Sequence, residues 1–281
     1  LRSTVIADPA AAGLTARPEP AAGVKASRIR ARSRLLRGLI GILLLAAVWE
    51  FAPLTGLVDS YFFPPLHVVL GTVWTMLADG ELWKHVQASL IRAGVGFTLA
   101  VAAAVPLGAV IAWYGPVREV LTPVLEFFRN TAALALLPVF TLILGIGETS
   151  KIAIVAYACF FPVLLSTIAG VATVDPQLLR SARVLGLSPV AMFAKVAFPA
   201  AVPTIFTGIR ISGSAAILVL IAAEMIGANA GIGFLINYAQ NNFLIPKMYA
   251  GILATSVLGL AINYALVGVE RRFSRWRETS T

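Results

Sequence analysis

Charge is scarce in this sequence. Only 12% of its 281 residues are Asp, Glu, Lys or Arg, while 59% are hydrophobic. Soluble domains carry about 25% charged residues, so a water-solvated fold has too little polar surface here and lipid is the fitting solvent. Cysteine is scarcer still. Cys159 stands alone inside an apolar run, which excludes an intrachain disulfide and argues against a Cys-based metal site. The histidines, His67 and His85, lie far apart. They match no ligand spacing and read as ordinary loop residues. There is no Gly-x-x-x-x-Gly-Lys-Ser/Thr, so no P-loop cradles a nucleotide on this chain. Gly145 to Lys151 has glycines and a lysine, but no Gly-Lys pair. No His-Glu-x-x-His and no pair of aspartates in facing apolar runs is present, which argues against an intramembrane enzyme.

What is present is a series of long apolar runs. A bilayer core of roughly 30 Å takes about 20 helical residues. Six stretches fit, at about 39–57, 93–113, 131–147, 152–174, 204–226 and 248–269, the third with an amphipathic lead-in from Val120. The expectation is an all-α polytopic membrane protein with six transmembrane helices. The net charge of +9 is concentrated at the ends and in short loops. A nucleic-acid footprint would be distributed otherwise, so no nucleic-acid partner is expected. Arginines and a lysine crowd residues 2–37, and Arg271, Arg272, Arg275 and Arg277 follow the last run. Lys and Arg favour the cytoplasmic side, so both termini are expected there, which requires an even number of spans. Arg118 and the group Arg180, Arg183 and Lys195 fall on that same side. Residues 1–34, rich in Ala, Pro and Arg, read as a disordered cytoplasmic tail and not as a secretory signal. Residues 35–270 form the membrane domain and 271–281 a second tail. The segment from Val58 to Arg92 is expected as a loop on the opposite side. A short surface helix over Leu66 to Leu77 and a turn at Asp79-Gly80 fit within it.

The loop after the fourth run, Asp175 to Pro203, has its own grammar. Asp175 suits an N-cap, Pro176 the first helical position and Gly186 the C-terminal turn. Ser188 and Pro189 start a second short helix, and Pro199 and Pro203 are expected to end it. Leu178, Ala182 and Leu185 fall on one face of the first helix. Such a hairpin is too short to stand alone. Two readings are open at this point: a helix that docks into a partner's groove, or an interfacial loop that reconnects two spans.

The same stretch resembles the cytoplasmic EAA loop of ABC-importer permeases: Glu-Ala-Ala, three residues, Gly, nine residues, then Ile-x-Leu-Pro. Here Arg180-Ser181-Ala182 precedes Gly186 by three residues, and Val196-Ala197-Phe198-Pro199 follows after nine. Arg180 and Ser181 depart from the motif, so a glutamate-dependent contact does not carry over. Further segments support the resemblance. They are Phe63-Pro64-Pro65, Ser89-Leu90-Ile91-Arg92, Pro106-Leu107-Gly108, Leu137-Pro138, Gly145 to Lys151, Gly208-Ile209-Arg210, Ala223-Glu224-Met225 and Gly231-Ile232-Gly233. The chain is similar to the taurine, aliphatic-sulfonate, nitrate and bicarbonate branch of binding-protein-dependent permeases. The resemblance implies a type I importer permease, without catalytic residues or a cofactor of its own, in a bacterial cytoplasmic membrane. It implies a homodimer, separate ATPase subunits that hold ATP and Mg, and a periplasmic or lipid-anchored solute-binding protein. It further implies that Leu178, Leu179, Arg180, Ser181, Ala182, Arg183, Leu185, Gly186, Leu187 and Pro199 couple to the ATPase. A small, anionic solute is the branch expectation.

Polar groups inside the apolar runs are the remaining candidates. A charge at the bilayer centre is expensive, by roughly 2.5–3.5 kcal/mol on insertion scales. Glu50 and Glu224 sit late in the first and fifth runs. Glu224 is read either as shaping the outer end of a path or, as the favoured reading, as satisfying loop amides between Gly227 and Gly233. Arg129 and Arg210 either pair with acids such as Glu126 or line an anion route, beside Asn130, Thr131, Ser212 and Ser214. The rival function is a secondary carrier or channel without ATP. Broken helices or paired repeats would mark it, and neither is evident in the sequence.

Overall fold

Helices follow the apolar runs, but they start and stop on polar residues, glycine and proline. The computed structural model describes residues 40–56 and 58–274. The expected N-terminal tail lies outside the described residues, as do residues 275–281. The described chain is helical, with no strand among the described residues. In order the elements are α1 (Ile40–Leu54), α2 (Leu66–Ala78), α3 (Glu81–Trp113), α4 (Gly115–Asn130) and α5 (Leu137–Leu144). They continue with α6 (Glu148–Ala172), α7 (Pro176–Val184), α8 (Pro189–Met192), α9 (Phe198–Glu224), α10 (Ile232–Asn241) and α11 (Ile245–Ser274).

Four helices are long and apolar enough to cross a membrane: α3, α6, the continuous stretch from Pro189 through α9, and α11. A fifth crossing results if α4 and the segment Ala133–Leu144, bent by 83° to each other, count as one broken span. The third run, expected as a straight helix over 131–147, is therefore broken near its start. Thr131 and Ala132 have extended backbone, and a 3₁₀ turn, Ala133–Leu136, precedes α5. α1 is a shorter apolar helix.

The second run is longer than hydropathy indicates. α3 starts at Glu81, just after the turn at Asp79-Gly80, so the expected loop over 81–92 is helix. Its polar residues have partners: Lys247 of α11 donates to both Glu81 oxygens, at 3.1 and 2.9 Å. The short helix expected over 66–77 is α2. His67 at its start donates its backbone N–H to Glu50, 3.1 Å away, and its Nδ1 lies 2.6 Å from the same carboxylate. Glu50 thus fastens α1 to α2.

The prolines after α8 do not end a helix. A π-helical turn over Phe193–Ala197 joins α8 to α9. Pro199 sits in the first turn of α9 and Pro203 inside it. The wide turn supplies room where an α-helix would clash with the proline ring.

α3, α6 and α9 form the core. Ala104, Ile111, Val163, Leu164, Ala201 and Ile205 meet near one end, and Ala100, Val155, Cys159, Ala216 and Leu220 near the other. Small residues let these backbones approach, as in lipid-solvated bundles. A Cβ on Gly96 would stand 2.8 Å from the Ile152 carbonyl, and one on Gly108 2.9 Å from that of Leu164. By contrast α1, α4 and α5 present large apolar side chains outward, among them Leu45, Val120, Phe127 and Leu142.

Candidate functional site

Two places carry the polar and exposed features, at opposite ends of α6 and α9. At one end the 175–203 loop is built by its caps. The Asp175 carboxylate accepts from the Gln177 N–H at 2.7 Å, with Pro176 at the first helical position. Gly186 takes the left-handed conformation, φ 75°. Its N–H donates to Arg183 O at 2.9 Å and the Leu187 N–H to Ala182 O at 3.2 Å. This is a Schellman ending, which satisfies the last carbonyls of α7. The Ser188 hydroxyl then accepts from the Ala191 N–H at 3.3 Å to start α8.

The loop presents apolar side chains to its surroundings. Val184, Leu185 and Val190 are 89%, 77% and 77% exposed. Ala182 is buried, Leu178 exposed, and Leu179, Leu187 and Pro199 half-buried. Leu185, the C-cap residue, is exposed while Ala182 is buried. Arg180, Ser181 and Arg183 are exposed. The Arg180 Nε donates back to Pro176 O at 3.3 Å. Phe193 anchors the second half against Trp113 of α3, ring centroids 5.0 Å apart. A cavity of about 320 Å³ under the loop is lined by Gly170, Thr173, Asp175, Leu178, Ala200 and Pro203, among others.

At the opposite end lies a buried polar cluster. The Arg92 guanidinium grips Glu148 through Nε and, at 2.6 Å, through Nη2. Its Nη1 donates to Glu224 at 2.7 Å and to the Ala230 carbonyl at 2.6 Å. Glu224, wholly buried, also accepts from the Ser89 hydroxyl at 2.8 and 2.9 Å and from the Gly233 N–H at 3.0 Å. The Ser89 oxygen accepts from the Ile232 N–H at 2.9 Å, and His85 Nδ1 from the Gly231 N–H at 3.1 Å. Lys151 Nζ donates to Gly147 O at 3.0 Å and Gly227 O at 2.9 Å. Two cations, Arg92 and Lys151, balance two carboxylates.

The cluster answers a backbone problem. The turn from Met225 to Gly231 leaves α9 and enters α10 without regular hydrogen bonding. The opening amides of α10 have no intrahelical partner. His85, Ser89 and Glu224 accept from three of them, while Arg92 and Lys151 bind two carbonyls of the turn. Glycine is required here for space: a Cβ on Gly231 would fall on the Glu224 carboxylate, and one on Gly233 on the Ile221 carbonyl. The amide-satisfying reading of Glu224 matches this geometry.

The other path candidates are dispersed. Arg129 pairs with Glu126 at 2.7 Å on the surface of α4. Asn130 and Thr131 bond to carbonyls of their own helix, at 2.8 and 3.2 Å. Arg210 pairs with Glu270 of α11 at 3.0 Å. Ser212 is fully buried and its hydroxyl has no hydrogen-bond partner, while Ser214 is half-buried. Arg210 and Glu224 are 14 positions apart on one helix, about 21 Å, so these two do not share a site. Sequence reasoning misses the clustering of Ser89, Arg92, Glu148 and Lys151 around Glu224. Its sequence trace is polar pairs three residues apart, which a helix places on one face.

Comparison with known proteins places the chain in a family. The family described as binding-protein-dependent transport system inner membrane component matches residues 104–275, more than half of the chain. The taurine transport system permease protein of Escherichia coli (strain K12) is 34% identical over 250 residues, covering 87% of this chain and 91% of that protein. The riboflavin transport system permease protein of Chloroflexus aurantiacus is 29% identical over 238 residues, covering 84% and 88%. Among solved structures, a chain of the inward-facing MetNI methionine ABC transporter superposes with a TM-score of 0.61 at 18% identity. It covers 68% of this chain and 95% of that one, a likeness of fold. With its helical core, its exposed two-helix loop and a family match over most of both, the chain belongs to the binding-protein-dependent transport system inner membrane component family, the permease subunits of ABC transporters.

Proposed function

We propose that this permease forms half of a homodimeric import path for a small organic anion of the sulfonate class. It works in a bacterial cytoplasmic membrane, with two ATPase subunits holding ATP and Mg on one side and a solute-binding protein on the other. Both termini and the 175–203 loop face the cytoplasm. Six crossings follow if α1 and the bent α4–α5 pair each count with α3, α6, α9 and α11, an even number that keeps both Arg-rich ends on one side. Arg129, Asn130, Thr131, Arg210, Ser212, Ser214 and Glu224 are the pathway candidates on this chain, and selectivity is assigned chiefly to the receptor.

The observation that carries this reading is the 175–203 loop. Three large apolar side chains, Val184, Leu185 and Val190, stand exposed on a frame fixed by three caps. A short capped helix pair of this kind suits a partner's groove. Its contact rests on Leu178, Leu179, Leu185, Leu187 and the shape set by Gly186 and Pro199, with Arg180, Ser181, Ala182 and Arg183 around them. Deletion of Leu178 to Leu187 is expected to abolish co-purification with the ATPase. An intact complex after that deletion would show that docking lies elsewhere. For the solute, a binding screen on the partner receptor should favour taurine-like sulfonates over riboflavin. The reverse order would overturn the sulfonate assignment and leave the docking role untouched.

A further inference from the structure

The Arg92 cluster does more than stabilise a helix seam. Below it, α3, α6 and α9 pack through Ala, Gly, Val and Leu. A buried ion pair stabilises no better than well-packed apolar residues of similar volume. What apolar residues cannot do is satisfy the backbone of the 225–233 turn. Buried irregular backbone needs partners, and here five side chains from α3, α6 and α9 provide them.

Arg92 is the hub. Its fork reaches Glu148 on α6, Glu224 on α9 and the Ala230 carbonyl in the turn, from a side chain only 4% exposed on α3. We infer that Arg92 is a positioning residue for transport: it joins the ends of α3, α6 and α9 to the 225–233 turn, so that this end of the bundle moves as one body. The same α6 and α9 lead directly into the 175–203 loop at their other ends. Motion delivered at that loop therefore arrives at the turn through two helices locked to each other by Arg92. This inference rests on the proposed importer reading for its functional consequence, but its structural half stands alone.

The structural half is tested on the full-length permease in lipid nanodiscs by amide hydrogen exchange. Arg92→Gln should raise exchange over residues 226–234 on the order of tenfold and leave the α6 segment 152–168 unchanged. Equal change in both segments would mean a merely structural loss, and no change in either would mean that Arg92 positions nothing. The functional half is read in the assembled complex as the ratio of receptor-stimulated to basal ATPase rate. That ratio should fall on the order of fivefold in Arg92→Gln. Arg92→Lys should recover only part of it, because an ammonium cannot reproduce the fork on Glu148 while also holding Glu224. An unchanged ratio, or full rescue by lysine, overturns the proposal. If Arg92→Gln does not accumulate, Glu148→Gln is the second variant. It leaves Arg92 paired with Glu224 and should raise exchange over 226–234 less, but selectively; no rise overturns the proposal. A wild-type complex with no receptor stimulation would refute the importer reading itself, while the exchange result would still decide the role of Arg92.

Discussion

Two of the breaks between helices are physical opposites. At 225–231 the interruption is enclosed: five side chains from three helices bind its carbonyls and the amides that follow. At 131–132 it is open. α4 has no buried residue among those described, and its terminal Asn130 and Thr131 bond to their own helix. For residues 128–144, among the described residues, one side chain from another helix makes a hydrogen bond, from the Tyr157 hydroxyl to the Phe128 carbonyl at 3.1 Å. One break is thus a corner locked by polar side chains, and the other a bend held by apolar packing, such as Leu137 against Ile154 and Ala223, and by that one bond.

The largest effects should come from the fixed corner. Glu224→Ala leaves the Arg92 charge facing a buried void, and breaking a buried pair in this way costs about 3–5 kcal/mol. Thermal unfolding in detergent should reveal it, with much less folded protein. Glu148→Ala removes a carboxylate that is 64% exposed from the same guanidinium. Water can replace it, so the expected loss is about 0–1 kcal/mol. Equal losses would show that the buried half of the cluster is not what holds the turn.

Glycine substitutions sharpen the contrast at intermediate size. Gly233→Ala drives a methyl into the Ile221 carbonyl and the Glu224 side chain. Overpacking of this kind costs about 1–3 kcal/mol. Gly147 belongs to the same cluster, its carbonyl bound by Lys151, but it has extended backbone and open space where a Cβ would stand. Gly147→Ala should remain within about 0.5 kcal/mol. Comparable melting shifts for the two variants would show that close packing at Gly233 is not what holds the corner.

Both breaks are less legible in the sequence than the 175–203 loop. The 175–203 loop is readable because caps are local: Asp175, Pro176, Gly186 and Ser188 each act on neighbours within three or four positions. The turn at Asp79-Gly80 is readable for the same reason. The Arg92 cluster is not, since its partners lie 56 to 138 positions away. Hydropathy even points the wrong way, because buried pairing lets Glu81 to Arg92 remain helical despite their charge. The bend at 131–132 is hidden for another reason. Its residues are apolar enough to read as a straight span, and nothing local except Pro138 hints at a break. The continuity of α8 into α9 depends on a π turn that no residue pattern announces.

The smallest predicted effect tests the open break directly. Tyr157→Phe removes one hydroxyl and keeps the ring, which packs edge-on against Phe161 with centroids 5.2 Å apart. The lost bond is neutral and exposed, so global stability should change by less than about 0.5 kcal/mol. Locally the consequence is larger, because that bond ties the end of α4 to α6. Amide exchange over residues 128–136 should rise, while exchange over 226–234 stays at its wild-type rate. If both regions respond, the bend and the corner are mechanically continuous, and the free element must be sought outside α4 and α5. If only the bend responds, the yielding partner of the rigid trio is the α4–α5 pair, and its 83° angle is the coordinate to follow through the transport cycle.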